Sequence, residues 1–595
     1  MGVPRLFPWL TITFPGITIT LKRGQSGVEV DNVYIDSQSI AHAACQFAFN
    51  YGAKKRRMYP FEKLSYVEKR LKAFEFHFNT IKSIVKLVRP RRLLYISNDG
   101  PAPIAKQSQQ RQRRFASEPS SGFDSNSLTP GTEFMAELTE YMEFAIRREI
   151  QTNEAWKKFR VIFSGSNEEG EGEHKLLNYI RAMPKEQAQR ESHCIVGPDG
   201  DLIMLALAAH VDNIFLLRED IESVDVYHFV DMGRVRRELP SIFPATSGPR
   251  SLDDVSNDFI FIGFLVGNDF LPKVQMFMYL EEGLQLMIKE YIDVYTSSGM
   301  YLTTDGKINR EAFRRFIERL SENEKMYLEQ QAPYSRNILA VTQGMKPEEI
   351  EARFSGYERE KNNPIFVDHT LLDNMEGDTL NFDTYATAYY SRAGIDISGT
   401  SRDLDRMCRD YIKTIIWIGE YYINGLPSWG HYYPWHYPPL MSDLYVALIA
   451  TPFDELSKFE LGRPSLPFVQ LLSVLPPRSA NLLSMPFRRL MLDANSPLVR
   501  AGTYPSSFKI DYEGKTKKHF GISILNFADV KLVERCYQRM MDIVARGKTI
   551  QEVVGMYPRN KLGRAITLRY SPSASDERYT NKYGVVDVKI VVGNL

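Results

Sequence analysis

Cysteine is scarce in this chain of 595 residues. There are four, Cys45, Cys194, Cys408 and Cys536, none close to another, and no CxxC occurs. That spacing argues against a disulfide framework or a structural zinc and points to a reducing compartment. Long apolar runs are missing as well. No stretch of about 18 apolar residues exists, so no membrane-spanning helix is expected, and the longest run, within 259–266, reads as a buried helix. The opening MGVPRLFPWLTITFPG has no charged segment followed by a long apolar core, so it does not read as a secretory signal, and leucine at position 6 breaks the myristoylation pattern. Charge of one sign is lacking too: the formal net charge is +1. A protein that binds nucleic acid over its whole surface would be more basic, so any such contact must use local patches. There is no GxxxxGK[ST], and no Ser-His-Asp or Cys-His pairing stands out, which leaves NTPase and nucleophilic-residue mechanisms with little support.

What is present is a large soluble composition, 43% hydrophobic and 25% charged. The length exceeds one ordinary domain and is ample for a buried core. Over about the first 290 residues, short β-like runs alternate with helical stretches. Strands are predicted at 31–36, 92–97, 159–164, 193–197 and 213–217, and long amphipathic helices at 62–88 and 133–152. Such alternation predicts an α/β fold with a mainly parallel central sheet flanked by helices. The polar stretch 116–131 reads as a loop. The segment 300–410 is charged and mostly helical, 411–445 is dense in aromatic residues, and 450–595 mixes Pro-rich turns with short strands. Three consecutive regions are therefore expected: an α/β domain over 1–290, a mostly helical connector over 291–410, and an aromatic-rich α+β region over 411–595 packed against the first.

Seven carboxylates stand out. GEGE at 170–173 and DGD at 199–201 supply Glu171, Glu173, Asp199 and Asp201, while Asp36, Asp99 and Asp269 end apolar runs. In parallel sheets ligands collect beyond the carboxyl ends of strands, and Asp36, Asp99 and the 199–201 pair are predicted at such ends. Glycine-separated carboxylates are poor helix formers. Read as extended chain, Asp199 and Asp201 would share one side. Gathered carboxylates repel and need a cation, and oxygen-only donors suit Mg²⁺ or Mn²⁺ rather than Zn²⁺. A pair of such ions is the usual device for in-line attack on a phosphodiester, so the chain reads first as a metal-dependent nuclease.

Downstream of Asp99, Pro103 can start a helix on which Lys106, Gln110, Arg113 and Arg114 share one face. That stripe is suited to a phosphate. His42, and the crowded rings Trp429, His431, Tyr432, Tyr433, Trp435, His436 and Tyr437, include candidates for base stacking, although most of these rings are expected to be core. The basic runs KKRR at 54–57 and RPRR at 89–92 read equally as backbone tracks or solvated ends.

Ten ordered blocks carry a family resemblance: MGVPRLFPWL, VDNVYIDSQSIAH, DGPAPIAKQSQQRQRRF, FDSNSLTPGTEFM, GEGEHK, DGDLIML, FLVGNDFLP, SWGHYYPWHYPPLMSDL, PFVQLLSVLP and DANSPL. The chain resembles the XRN family of 5′→3′ exoribonucleases across nearly its whole length. The resemblance implies a 5′-nuclease, PIN-like core and a hydrolase active in RNA degradation, including mRNA decay. It implies that Asp36, Asp99, Glu171, Glu173, Asp199, Asp201 and Asp269 hold two Mg²⁺ or Mn²⁺ ions. It also implies that Lys106, Gln110, Arg113 and Arg114 form the pocket for a 5′-monophosphate, that His42 stacks on the first base, and that Pro103 stands at a strand entrance that excludes duplex. The stacking partner falls in SWGHYYPWHY, where the family pattern SWxWYYPYHY has lost a tryptophan to His431 and kept Trp429. Ser37-Gln38 replaces the usual Met-Asn after the first aspartate. A compact member, without the large C-terminal extension of cytoplasmic members, is expected.

The expected activity is processive 5′→3′ degradation of single-stranded, 5′-monophosphorylated RNA to mononucleotides. The expected partner is that RNA, with a decapping activity upstream supplying its ends. No membrane contact is expected, a monomer is, and the location is taken as cytoplasmic with nucleus and virion left open. Two other readings remain: a 5′-flap-type DNA endonuclease, disfavoured because GNDFLPKVQMFMYLEEG replaces a helix-hairpin-helix, and a catalytically silent RNA-binding protein on the same fold.

Overall fold

The computed structural model describes residues 6–25, 27–52, 60–117, 122–220, 223, 225–243, 251–277, 280–354, 365–397 and 402–594. The KKRR run at 54–57 lies outside the described residues.

The chain groups into two compact units that are discontinuous in sequence. One comprises Pro15–Val235, Arg463–Pro505 and Phe527–Leu595. The other comprises Met1–Phe14, Arg236–Gly462 and Ser506–Asn526. The expectation was three consecutive segments divided near 290 and 410. The difference arises because Arg463–Pro505 and Phe527–Leu595 return to the first unit, where two late strands join its sheet.

That sheet has nine strands: β1 (Thr18–Lys22), β2 (Val28–Asp36), β3 (Val88–Ser97), β4 (Arg160–Ser164), β5 (His193–Val196), β6 (Ile214–Glu219), β7 (Val226–Asp231), β8 (Ile566–Tyr570) and β9 (Ile590–Asn594), in the order β1-β7-β6-β5-β2-β3-β4-β8-β9. The five central strands, β6-β5-β2-β3-β4, are parallel, and both edges are antiparallel. The five predicted strands are these central ones. Their sequences are continuous apolar runs because helices cover both faces, and Val33, Tyr34, Ile35, Leu94, Ile96, Val161 and Ile162 are fully buried.

The predicted helices form as well, at Tyr66–Leu87 and Glu133–Thr152. The first starts at a capping box, in which Ser65 accepts from the Glu68 amide and Glu68 reaches back to Ser65. From β2 the chain builds outward on one side through β3 and β4, then returns to place β5 on the other side of β2. The strand order therefore reverses between β2 and β5, the point beyond whose carboxyl ends α/β sheets collect ligands.

The second unit is mainly helical, with Leu252–Leu265, Leu280–Ser298, Arg310–Thr342, Phe382–Arg392 and Arg402–Ile423 its longest elements. The predicted buried run 259–266 lies largely in the first of these, whose residues 255–265 are all buried. Among the described residues no helix is long and apolar enough to cross a membrane. All four cysteines are buried and free.

Candidate active site

Four of the five central strands, β2, β3, β4 and β5, deliver carboxylates at or beyond their carboxyl ends. Asp36 is the last residue of β2, and Asp99 lies two residues beyond β3. Glu171 caps the N-terminus of α3 (Gly172–Ala182) after β4, and Glu173 is in its first turn. Asp199 lies between β5 and α4 (Asp201–Ala208), and Asp201 is the first residue of that helix. The Asp199–Asp201 pair thus differs from the extended-chain reading: Gly200 is in right-handed helical conformation, φ −73° and ψ −27°. Helix N-termini offer a positive dipole and free amides to a carboxylate, which is why acidic residues unsuited to a helix interior sit well at its start.

One oxygen each from Asp36, Asp99 and Glu173 lies within 4.8 Å of the others. Burial lifts the Asp36 pKa well above the carboxylate range, and Asp99, Asp199 and Asp201 lift it further. Burial does the same to Glu173, with Glu171, Asp36 and Asp99 adding and Lys106 opposing. Six of the seven expected carboxylates therefore share one field. Asp269 belongs to the other compact unit, in the loop after Leu252–Leu265, and is half-buried.

Close packing sets the spacing. A Cβ on Gly172 would stand 2.9 Å from Asp36 Oδ1, and one on Gly100 would stand 1.5 Å from the Glu168 carbonyl oxygen. The loops after β3 and β4 are tied together by the Gly100 amide donating to Gly170 O at 2.9 Å and the Gly170 amide donating to Pro101 O at 2.8 Å. The Gly172 amide donates to Asp99 Oδ1 at 2.9 Å. The donors are all carboxylate oxygens, crowded and partly desolvated, which fits a hard divalent cation.

Lysines compensate part of this charge. Lys106 Nζ is 2.5 Å from Glu171 Oε2 and 3.8 Å from Glu173 Oε1. Lys175, buried beneath the cluster, donates to Asn98 O and Ser164 Oγ, each at 2.9 Å. Burial lowers its pKa to about 8 against the pull of nearby carboxylates. Sequence reasoning assigned Lys175 nothing. Its signal was the HK after GEGE, one turn from Glu171 on the same helix.

Pro103 is buried at the N-cap of α2 (Ile104–Ala116). Lys106 and Gln110 on this helix are half-buried, Arg113 is exposed, and Arg114 is half-buried with Nη1 donating to Asn126 Oδ1 at 3.2 Å. Burial, then Arg113, lowers the Arg114 pKa to about 10. The opposite face packs on α5 (Pro467–Val474). Gln470 accepts from the Ala102 amide at 2.8 Å. Arg111, buried, donates to Ser473 O at 3.0 Å and to Thr503 O, and lies over Phe115. Arg111 was also missed. The helical period places it with Ile104, Gln107 and Phe115 on the buried side.

His42, on α1 (Gln38–Phe49), is solvent-exposed but stands amid dense protein, which lowers its pKa to about 4. Arg114 and Arg113 lower it further, and Asp99 and Asp199 oppose them. It therefore lies between the basic helix and the carboxylates. In the other unit Trp429 is half-buried. His431 hydrogen-bonds Thr414 Oγ1 at 2.9 Å and packs against Trp417 and Phe459. Tyr433 and Tyr437 are buried, and Trp435 donates to Asp410 at 2.9 Å. The aromatic stretch is largely core.

An α/β sheet gathers carboxylates at its switch point beside a cationic helix, an arrangement suited to a divalent cation and a phosphate ester. Family comparison narrows this. The model for the XRN 5′-3′ exonuclease N-terminus matches residues 1–121 and 117–220, and that for the Xrn1 helical domain matches 250–354 and 357–579. The chain belongs to the XRN family. It is 28% identical over 596 residues to 5′-3′ exoribonuclease 1 of Homo sapiens, covering 89% of this chain and 34% of the human protein. It is 27% identical over 755 residues to 5′-3′ exoribonuclease 2 of Arabidopsis thaliana, covering 98% and 72%. It is 26% identical over 727 residues to 5′-3′ exoribonuclease 1 of Saccharomyces cerevisiae, covering 98% and 45%. The chain thus spans about a third of the human relative and under half of the yeast one.

Proposed function

We propose that this protein is a 5′→3′ exoribonuclease that degrades single-stranded, 5′-monophosphorylated RNA processively to mononucleotides. The observation that carries this reading is the carboxylate group Asp36, Asp99 and Glu173, within 4.8 Å of one another and beside the basic face of α2. Relatives bearing the name 5′-3′ exoribonuclease support it.

In this proposal Asp36, Asp99, Glu171, Glu173, Asp199 and Asp201, with Asp269 as the family motif implies, hold two Mg²⁺ or Mn²⁺ ions. Such ions supply Lewis acidity and a nucleophilic water at neutral pH. Lys106, Gln110, Arg113 and Arg114 bind the terminal phosphate, and the one-phosphate span of that face sets cleavage one nucleotide in. His42 is neutral at physiological pH because its pKa is about 4, so it offers the first base an uncharged ring. Trp429 keeps the partner role, since His431 is engaged with Thr414. Pro103 starts the helix at the strand entrance. The protein acts as a monomer in the cytoplasm, downstream of decapping.

The test is decay of 3′-labelled RNA carrying 5′-monophosphate, 5′-triphosphate or 5′-hydroxyl, with Mg²⁺ and with EDTA. Rapid Mg²⁺-dependent loss of the monophosphate substrate alone is expected. Equal decay of all three would remove the end-sensing role of α2. No decay would favour the silent RNA-binding reading.

A further inference from the structure

The same strands carry a second polar feature at their opposite, amino-terminal ends. A cavity of about 310 Å³ opens there. Its floor follows the sheet register: Asn32, Leu93 and Arg160 are cross-strand partners on β2, β3 and β4. Leu568 pairs with Val161, which sets Arg569 of β8 beside the start of β4. Paired residues point to one face of a sheet, so these side chains form one row. Tyr179 and Met183, in and just after α3, wall the row.

The lining holds five cations, Arg91, Arg92, Lys158, Arg160 and Arg569, against one carboxylate, Glu191. Glu191 pairs with Arg92 at 2.7 Å, and Asp31, outside the cavity, pairs with Arg91 at 3.1 Å. Arg160 donates to the Tyr179 hydroxyl, a neutral partner. Among the described residues Lys158 and Arg569 have no carboxylate partner, so three positive charges stay uncompensated around a concave, partly apolar wall. A merely solvated basic edge needs neither the concavity nor the apolar wall. Pockets of this size hold small organic ligands, and guanidinium groups in a fixed row match phosphate oxygens.

We propose that this cavity binds a phosphate-bearing small molecule of nucleoside-monophosphate size, away from the carboxylate cluster. The inference does not rest on the proposed activity, because its readout is binding.

The test is calorimetric titration of the full chain with adenosine 5′-monophosphate, inorganic phosphate, adenosine, and a short 5′-hydroxyl RNA. Arg160→Gln with Arg569→Gln should weaken one phosphate-dependent binding event by about tenfold or more and leave RNA turnover unchanged. Arg113→Gln should not affect that event. Because Arg160 also bonds Tyr179, Lys158→Gln with Arg569→Gln, both free of ion pairs, serves as the second variant and should weaken it in the same direction. Isotherms unchanged in both double variants would overturn the proposal. So would adenosine binding as well as its monophosphate, or the RNA binding where the mononucleotide does not.

Discussion

Asp36, Asp99 and Glu173 are brought close together at a cost in folding free energy, which a bound cation offsets. The sign of the resulting pH dependence follows from the raised pKa values of Asp36 and Glu173. A carboxyl whose folded pKa exceeds its unfolded value of about 4 binds its proton more tightly in the folded state, so its stabilising contribution is full below that value and is lost as pH rises through the folded pKa. Without metal, the melting temperature should therefore fall as pH is raised from about 4 toward neutrality. Mg²⁺ or Mn²⁺ should restore it, by more at higher pH, because only the ionised carboxyls bind metal. Asp36→Asn should abolish RNA turnover while leaving the melting temperature in EDTA unchanged or higher, since it removes repulsion. Scanning calorimetry in EDTA across pH, with and without the substitution, checks both. A melting temperature that climbs with pH would refute the electrostatic account. These carboxylates were legible because each ends an apolar run or flanks a glycine. Lys175 was not: nothing local distinguishes a lysine beneath the cluster from one in solvent.

The basic helix α2 has two faces with different tasks. One carries Lys106, Gln110, Arg113 and Arg114, the proposed phosphate receptor, and the other holds the helix in place through Arg111. Replacing Arg111 by methionine keeps the stem but leaves the Ser473 and Thr503 carbonyls without their donor. Losing such a buried charged donor should lower stability by about 3 kcal/mol. It should also weaken 5′-phosphorylated RNA more than 5′-hydroxyl RNA, although Arg111 faces away from the phosphate-binding stripe. Urea unfolding and paired KM measurements check this, and a loss of stability with no preference between the two RNAs would show that α2 is not the end sensor. The predicted stripe forms as the helical period required. The Asp199–Asp201 pair, by contrast, is expected on extended chain and is found at a helix start. Two residues of spacing are compatible with both, and only the packing of α4 on the sheet chooses.

The sheet is completed by segments far apart in sequence. β8 pairs with β4 through Ile566–Phe163 and Leu568–Val161, more than 400 positions away. A chain ending at 562 would expose β4 as an open edge beside the site loops, and open edges invite association. Such a truncation should aggregate on size-exclusion chromatography. A monomeric, folded product would show that β4 needs no partner. The sequence by itself determined the five parallel strands, the helices between them, the carboxylates at their ends and the basic stripe of α2. It could do so because side-chain period and apolar run length are local properties of the chain. Only the tertiary structure decided that Arg463–Pro505 and Phe527–Leu595 rejoin the first unit, that Lys106 lies against Glu171, that Arg111 is an anchor, and that five cations line one cavity. Each of these depends on which distant segment lands alongside, and that is settled by the packing of the folded chain as a whole, which short-range sequence pattern does not encode.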